Sequence, residues 1–272
     1  MTAEIPKPQN ALNKTTLTEP LLHPEIAAML KDIEPVFKAY SIDYYVVGAV
    51  ARDIQLSTDT GSAALRKTND VDLAILIRNE GQFRELKQAL AATGHFTLHP
   101  TETIKLFYHG AIEVDLLPFG EIEEADRHVR LTDPRFVFHM PGFKEIYPFV
   151  DSVQVDEELN IKVCTMEGII LLKLISNNDR PQRTKDITDI EHIIRVYFDL
   201  YSGDIYEEHF DTMELYETTE SDYLQLVCAR VIGRKLKLLL NDSESLSQRV
   251  AVILANRPTT WWNAMLNGLN DA

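Results

Sequence analysis

The sequence predicts an α+β protein in which a mixed sheet with helices is followed by a C-terminal helical domain. Three observations carry that expectation. Apolar runs of strand length recur through the first 164 residues, the clearest being Val71-Asp72-Leu73-Ala74-Ile75-Leu76-Ile77. Helical spacing of apolar residues alternates with those runs, as in domains with strands and helices around one core. From Thr165 onward the pattern is almost entirely helical. The domain reading is a loosely ordered lead over 1–20, an α/β domain over 21–164 and a helical domain over 165–272.

Taken in order, His23 to Tyr40 places Ile26, Met29, Leu30, Ile33, Val36 and Phe37 on one helix face. Tyr44 to Gly48 reads as a short buried strand ending on glycine, and Ala49 to Ile54 as a helix start. Ser57 to Ala63 is small and polar, a loop by composition. The Asp70 strand follows, then a helix over about 81–93, and strands near Phe96, at Ile104 to Tyr108 and at Ile112 to Leu117. A strand within Arg130 to Pro141, a helical turn at Gly142 to Tyr147 and a hairpin from 151–155 with 159–163 complete the first part. Helices are expected at 165–177, 185–200, 205–217, 219–240, 243–256 and 259–268. The Trp261-Trp262 pair reads as core by default.

With 45% hydrophobic and 25% charged residues the composition is that of a globular protein. Forty-two acids against 27 bases, a formal charge of −15, exclude a chain that coats nucleic acid without specificity. Bases do cluster between Lys173 and Arg195, so a nucleotide or RNA end could be met locally. Two distant cysteines, Cys164 and Cys228, argue against a disulfide framework or a zinc site and point to a reducing cytoplasm. The opening Met1 to Pro20 is polar and proline-containing, so no signal peptide is expected there, and with no apolar run of about 18 residues no membrane span is expected. The histidines are scattered and read as surface or core residues rather than ligands.

The chemistry is expected at Asp70 and Asp72. Positions i and i+2 of a strand share a face, about 6–7 Å apart along the backbone. If the strand of Asp115 lies alongside, three carboxylates form hard oxygen ligation suited to magnesium held jointly with substrate phosphates. A lone Asp-x-Asp is a weak signal, common in turns and helix caps. Gly48 strengthens it, because glycine lets backbone approach a ligand and N–H groups at a helix start bind phosphate; a tight turn with no ligand is the plainer reading of Gly48 alone. Lys173 sits inside an apolar helical run, where its charge requires a partner. Arg180, Lys185, Asp186 and Asp189 follow. They form either a salt-bridge network joining two helices or a cationic contact to a triphosphate in which Asp186 orients a cation.

In this order, Val47-Gly48-Ala49, Arg66-x-Thr68-x-Asp70-Val71-Asp72-Leu73, Glu113-Val114-Asp115-Leu116-Leu117-Pro118-Phe119 and Lys173-x2-Ser176-x3-Arg180-x4-Lys185-Asp186-x2-Asp189 resemble the DNA polymerase β-like nucleotidyltransferase superfamily. More closely, they resemble the AbiEii-type toxin nucleotidyltransferases, over about residues 25–200. The resemblance implies a polymerase β-like palm and a two-metal magnesium site at Asp70, Asp72 and Asp115. It implies catalytic roles for these three, Lys173 and Asp186, and nucleotide contacts from Gly48, Ala49, Arg52, Arg66, Thr68, Lys173, Arg180 and Lys185. The implied reaction moves a nucleoside monophosphate from a nucleoside triphosphate to an acceptor hydroxyl on RNA, including a tRNA end, or on a protein. A toxin role with a cognate antitoxin is implied by the resemblance alone. Where the family often has Gly-Gly or Gly-Ser this chain has Gly48-Ala49. The opening Val46 to Asp53 also looks somewhat like CCA-adding tRNA nucleotidyltransferases, which the remainder fits less well. The alternative reading is a catalytically inactive nucleotide-binding or interaction protein of the same fold, the latter using the acidic Glu207 to Asp222 segment; three retained acids favour the enzyme, since clustered carboxylates repel without a metal.

Overall fold

The structure, a computed structural model, describes residues 21–60, 69–132, 134–257 and 259–271, with side chains at 58–60 excepted. The expectations for the 1–20 lead, for Arg66 and Thr68, and for the loop from Gly61 to Ala63 lie outside the described residues.

Helix α1 (Pro24–Ala39) starts with proline at its first position, where a missing N–H costs nothing, and buries Ile26, Met29, Leu30, Ile33 and Phe37. Strand β1 (Tyr44–Val47) is buried throughout and leads directly into α2 (Gly48–Thr60). Strand β2 (Asp70–Leu76) is followed by α3 (Glu80–Ala92), whose cap residue Asn79 accepts from the Gln82 N–H at 3.0 Å. Strands β3 (Phe96–Leu98), β4 (Lys105–Tyr108) and β5 (Ile112–Phe119) form a meander. A separate hairpin, β6 (His128–Thr132) with β7 (Arg135–His139), precedes the short helix α4 (Phe143–Ile146). Strands β8 (Asp151–Gln154) and β9 (Asn160–Val163) complete a seven-stranded sheet of order β3-β4-β5-β2-β1-β9-β8.

That sheet is mixed: β2 runs parallel to β5 and antiparallel to β1, and β1 runs parallel to β9. Its two faces have different fates. Tyr44, Leu73 and Ile75 share the face covered by α1, where Phe37 meets the Tyr44 ring edge-on at 5.0 Å. The residues between them, including Asp72 and Ala74, face the other way together with Tyr45, whose hydroxyl donates to the Phe143 carbonyl at 2.8 Å.

After β9 the chain is helical: α5 (Met166–Asp179), α6 (Thr184–Glu208), α7 (Tyr223–Leu239), α8 (Glu244–Ala255) and α9 (Thr260–Leu269). Helices α7 and α9 meet backbone to backbone. A Cβ on Gly233 would lie 2.1 Å from the Met265 carbonyl oxygen, and one on Gly268 would lie 2.0 Å from that of Arg230. Trp262 is buried, and the Trp261 indole N–H donates to Asp222 at 2.8 Å.

Two expectations are corrected. No helix spans 205–217; α6 continues past a break at Tyr201 (φ −128°, ψ 22°) and Phe210–Glu214 is one 3-10 turn. The polar stretch from Ser57 is helical to Thr60, and the Ser57 hydroxyl is accommodated there by donating to the Asp53 carbonyl one turn back at 2.7 Å.

Candidate active site

The parallel pairing of β2 with β5 is in register at Asp72 and Asp115, with Asp70 opposite Glu113. Side chains directly opposite one another share a face. Asp70, Asp72 and Asp115 each place a carboxylate oxygen within 4.8 Å of the other two. Asp115 Oδ1 is buried and has no hydrogen-bond partner among the described residues. Burial raises the Asp72 carboxyl to about 7, reinforced by Asp70 and Asp115 and opposed by Arg183 and Lys173. Burial likewise raises Asp115 to about 6, opposed by Lys105 and reinforced by Asp70. Asp70, the most exposed of the three, is raised by burial and by Glu113 and lowered by Lys105. Three carboxylates gathered this closely suit a divalent cation, and the buried Asp115 oxygen, which has no donor among the described residues, is open to one.

Gly48 closes the cluster from the β1 side. It sits at φ +69°, and a Cβ there would lie 2.0 Å from Asp72 Oδ2. Glycine is needed twice over, for the left-handed turn and for the space the carboxylate fills. Ala49 follows in the first turn of α2, partly buried. Arg52, one turn on, is directed at protein carboxylates: its guanidinium reaches Asp189 at 2.8 Å and Asp53 at 2.9 Å.

The helical side supplies cations. Lys173 on α5 pairs with Asp189 at 2.7 Å and lies 3.6 Å from Asp186, so Asp189 bridges Lys173 and Arg52. These ion pairs join two helices, as one of the two sequence readings expects. Asp186 is 2% exposed and accepts from Arg183 Nε at 3.0 Å. Arg180 is the C-cap residue of α5, and Arg180 and Lys185 are both exposed, Lys185 in the first turn of α6.

Three neighbours went unnoticed in the sequence. Arg183 acts on Asp72 and is held by a buried Asn177, whose amide donates to the Arg183 carbonyl at 2.9 Å. Lys105 stands opposite Asp115 in the β4–β5 register and pairs with Glu113 at 2.6 Å. The short turn at His109-Gly110 could have fixed that register; nothing local marks Asn177. The site thus lies between unlike walls, Lys173 and Arg183 on one side and Lys105 with Glu113 and Glu102 on the other.

No protein-family model matches the sequence, and no curated protein matches it. Among solved structures, the chain is similar to an antigenic nucleotidyltransferase-like protein from Paracoccidioides brasiliensis, at 15% identity over 85% of this chain and 94% of that one, with a TM-score of 0.40. It is also similar to the antibiotic-resistance factor ANT(2'')-Ia, at 12% identity over 80% and 97% of the two chains and a TM-score of 0.40. A third likeness is to the CdnC:HORMA-deltaN complex of E. coli MS115-1, at 12% identity over 90% and 92% and a TM-score of 0.28. At such values these likenesses carry no chemistry, which rests on the side chains described above.

Proposed function

We propose that the protein is a magnesium-dependent nucleotidyltransferase of the polymerase β-like superfamily, moving a nucleoside monophosphate from a nucleoside triphosphate to an acceptor hydroxyl. The observation that carries this reading is the convergence of Asp70, Asp72 and Asp115 from two in-register parallel strands, with a buried Asp115 oxygen that has no hydrogen-bond partner among the described residues. These three carboxylates would hold the metal ions, and magnesium bound there supplies charge that stabilises the transferring phosphoryl group. Arg183 and Lys173 stand beside Asp72 and neutralise phosphate charge, while Asp189 and Asp186 fix the direction of those cations. Asp115, on the face it shares with Asp72, would accept the acceptor hydroxyl proton.

The acceptor is an RNA end, tRNA included, or a protein hydroxyl. With a formal charge of −15 the chain attracts RNA only through its local cluster from Lys173 to Arg195. The resemblance to AbiEii-type enzymes suggests a toxin neutralised by a cognate antitoxin. No helix among the described residues is long and apolar enough to cross a membrane.

The test is incubation with each α-labelled nucleoside triphosphate, magnesium and total cellular RNA, comparing wild type with Asp70→Ala and Asp72→Ala. Label entering RNA or protein with wild type alone is the expected result. Magnesium-dependent nucleotide binding without transfer to either pool would favour the inactive nucleotide-binding alternative, and no nucleotide binding would overturn the reading.

A further inference from the structure

Away from the carboxylate triad, three side chains converge at one end of the sheet. Asp32 projects from α1, His95 follows Gly94 after α3, and His109 opens the turn between β4 and β5. One donor atom of each lies within 4.8 Å of the other two. The backbone ties two of these segments together, because the His109 N–H donates to the His95 carbonyl at 2.9 Å. Asp32 is anchored in turn: Tyr108 donates its hydroxyl proton to Asp32 Oδ2 at 2.8 Å, and His95 Nδ1 lies 2.6 Å from the same oxygen. The two imidazole rings stand 5.1 Å apart.

The turn itself holds a second observation. His109 has φ +48° and Gly110 φ +71°, and the Ala111 N–H donates to the Tyr108 carbonyl at 3.0 Å. That is a two-residue turn with both central residues left-handed, positions that favour asparagine and glycine. Histidine is among the non-glycine residues that enter the left-handed region most readily, so the turn holds the His109 backbone in this conformation without a large cost.

We propose that Asp32, His95 and His109 form a binding site for a zinc-class transition metal ion. Two imidazoles with one carboxylate are the donors that zinc, cobalt and nickel favour over magnesium, which takes the all-oxygen triad instead. Donor atoms on one tetrahedral zinc lie about 3.4 Å apart, so small rotations of the partly exposed His95 and His109 rings close the set. The bound ion joins α1, the α3–β3 connection and the β4–β5 turn, while the solvent side supplies the remaining ligand position. This proposal stands independently of the transfer reaction.

The experiment is a calorimetric titration of the full chain with zinc in excess magnesium, which keeps the carboxylate triad filled, repeated with cobalt for its visible absorption. One ion per chain is expected, with a melting temperature that rises with zinc concentration. His95→Ala and His109→Asn should each weaken binding about tenfold or more, while Asp72→Asn leaves it unchanged. Asparagine suits the left-handed turn, so His109→Asn reads ligation in a folded protein. Absence of stoichiometric binding to wild type, or wild-type affinity in either histidine variant, would overturn the proposal and leave the trio as a hydrogen-bonded packing cluster.

Discussion

The Asp72 carboxylate rests against the α-carbon of Gly48, so that any side chain at 48 would collide with Oδ2 at 2.0 Å. Gly48→Ala is therefore expected to lower stability by about 1–3 kcal/mol and to displace Asp72 from the triad. Thermal melts check this. The double variant Gly48→Ala, Asp72→Ala should recover the part due to collision and retain the part due to φ +69°.

Protonation of the empty triad should shape the pH dependence of stability. Asp72 and Asp115 are raised from the ordinary 3.8 to about 7 and about 6. Between pH 4 and 7 the folded protein then holds protons that the unfolded chain has released, so metal-free stability falls as pH rises through that window. The change is on the order of a few kcal/mol at most. Melting temperatures measured across the window should flatten in Asp72→Asn and recover at the alkaline end with magnesium, which binds the deprotonated form.

Arg183→Ala separates binding from folding. Its side chain is half exposed but bonds the buried Asp186, which keeps Lys173 nearby, so its removal should cost about 1–3 kcal/mol and leave the protein folded. Nucleoside triphosphate affinity should drop roughly tenfold as a phosphate-facing cation is lost. Isothermal titration with a non-hydrolysable triphosphate analogue measures it; unchanged affinity would remove Arg183 from the site.

Asp189 is shared by Arg52 and Lys173, and Asp189→Asn leaves both cations without their common carboxylate. The expected loss is about 1–3 kcal/mol in urea denaturation. A larger fall in transfer rate than in nucleotide affinity would identify Asp189 as a positioning residue.

At the α7–α9 crossing, Gly268→Ala sets a methyl group 2.0 Å from the Arg230 carbonyl oxygen. Helix separation should cost about 1–3 kcal/mol, read by the same denaturation, while magnesium binding to the folded protein is retained.

Much of this architecture is legible locally. The run after Asp70 and the one around Asp115 are apolar enough to be buried strands, and the acid spacing places two carboxylates on one face. The periodicity of α1 anticipates every residue that it buries. What escapes the sequence is long-range. Asp32 and His95 meet across 63 residues, so no short-spacing search brings them together. Asn177 supports Arg183 through a loop whose course depends on where α5 stops. Lys173 was legible as a buried cation needing a partner, but only the packing of α6 against α5 shows that Asp189 takes it.

The in-register pairing of β2 with β5 also bears on folding fidelity. A one-residue slip of β2 would turn Asp70 and Asp72 towards the layer where Phe37 meets Tyr44, and would bring Val71, Leu73 and Ile75 out to the cleft. Unpaired carboxylates in that layer would be costly enough to reject the misaligned sheet. The acids that meet in the triad therefore also proofread the strand alignment, and neutralising them would loosen a check on assembly.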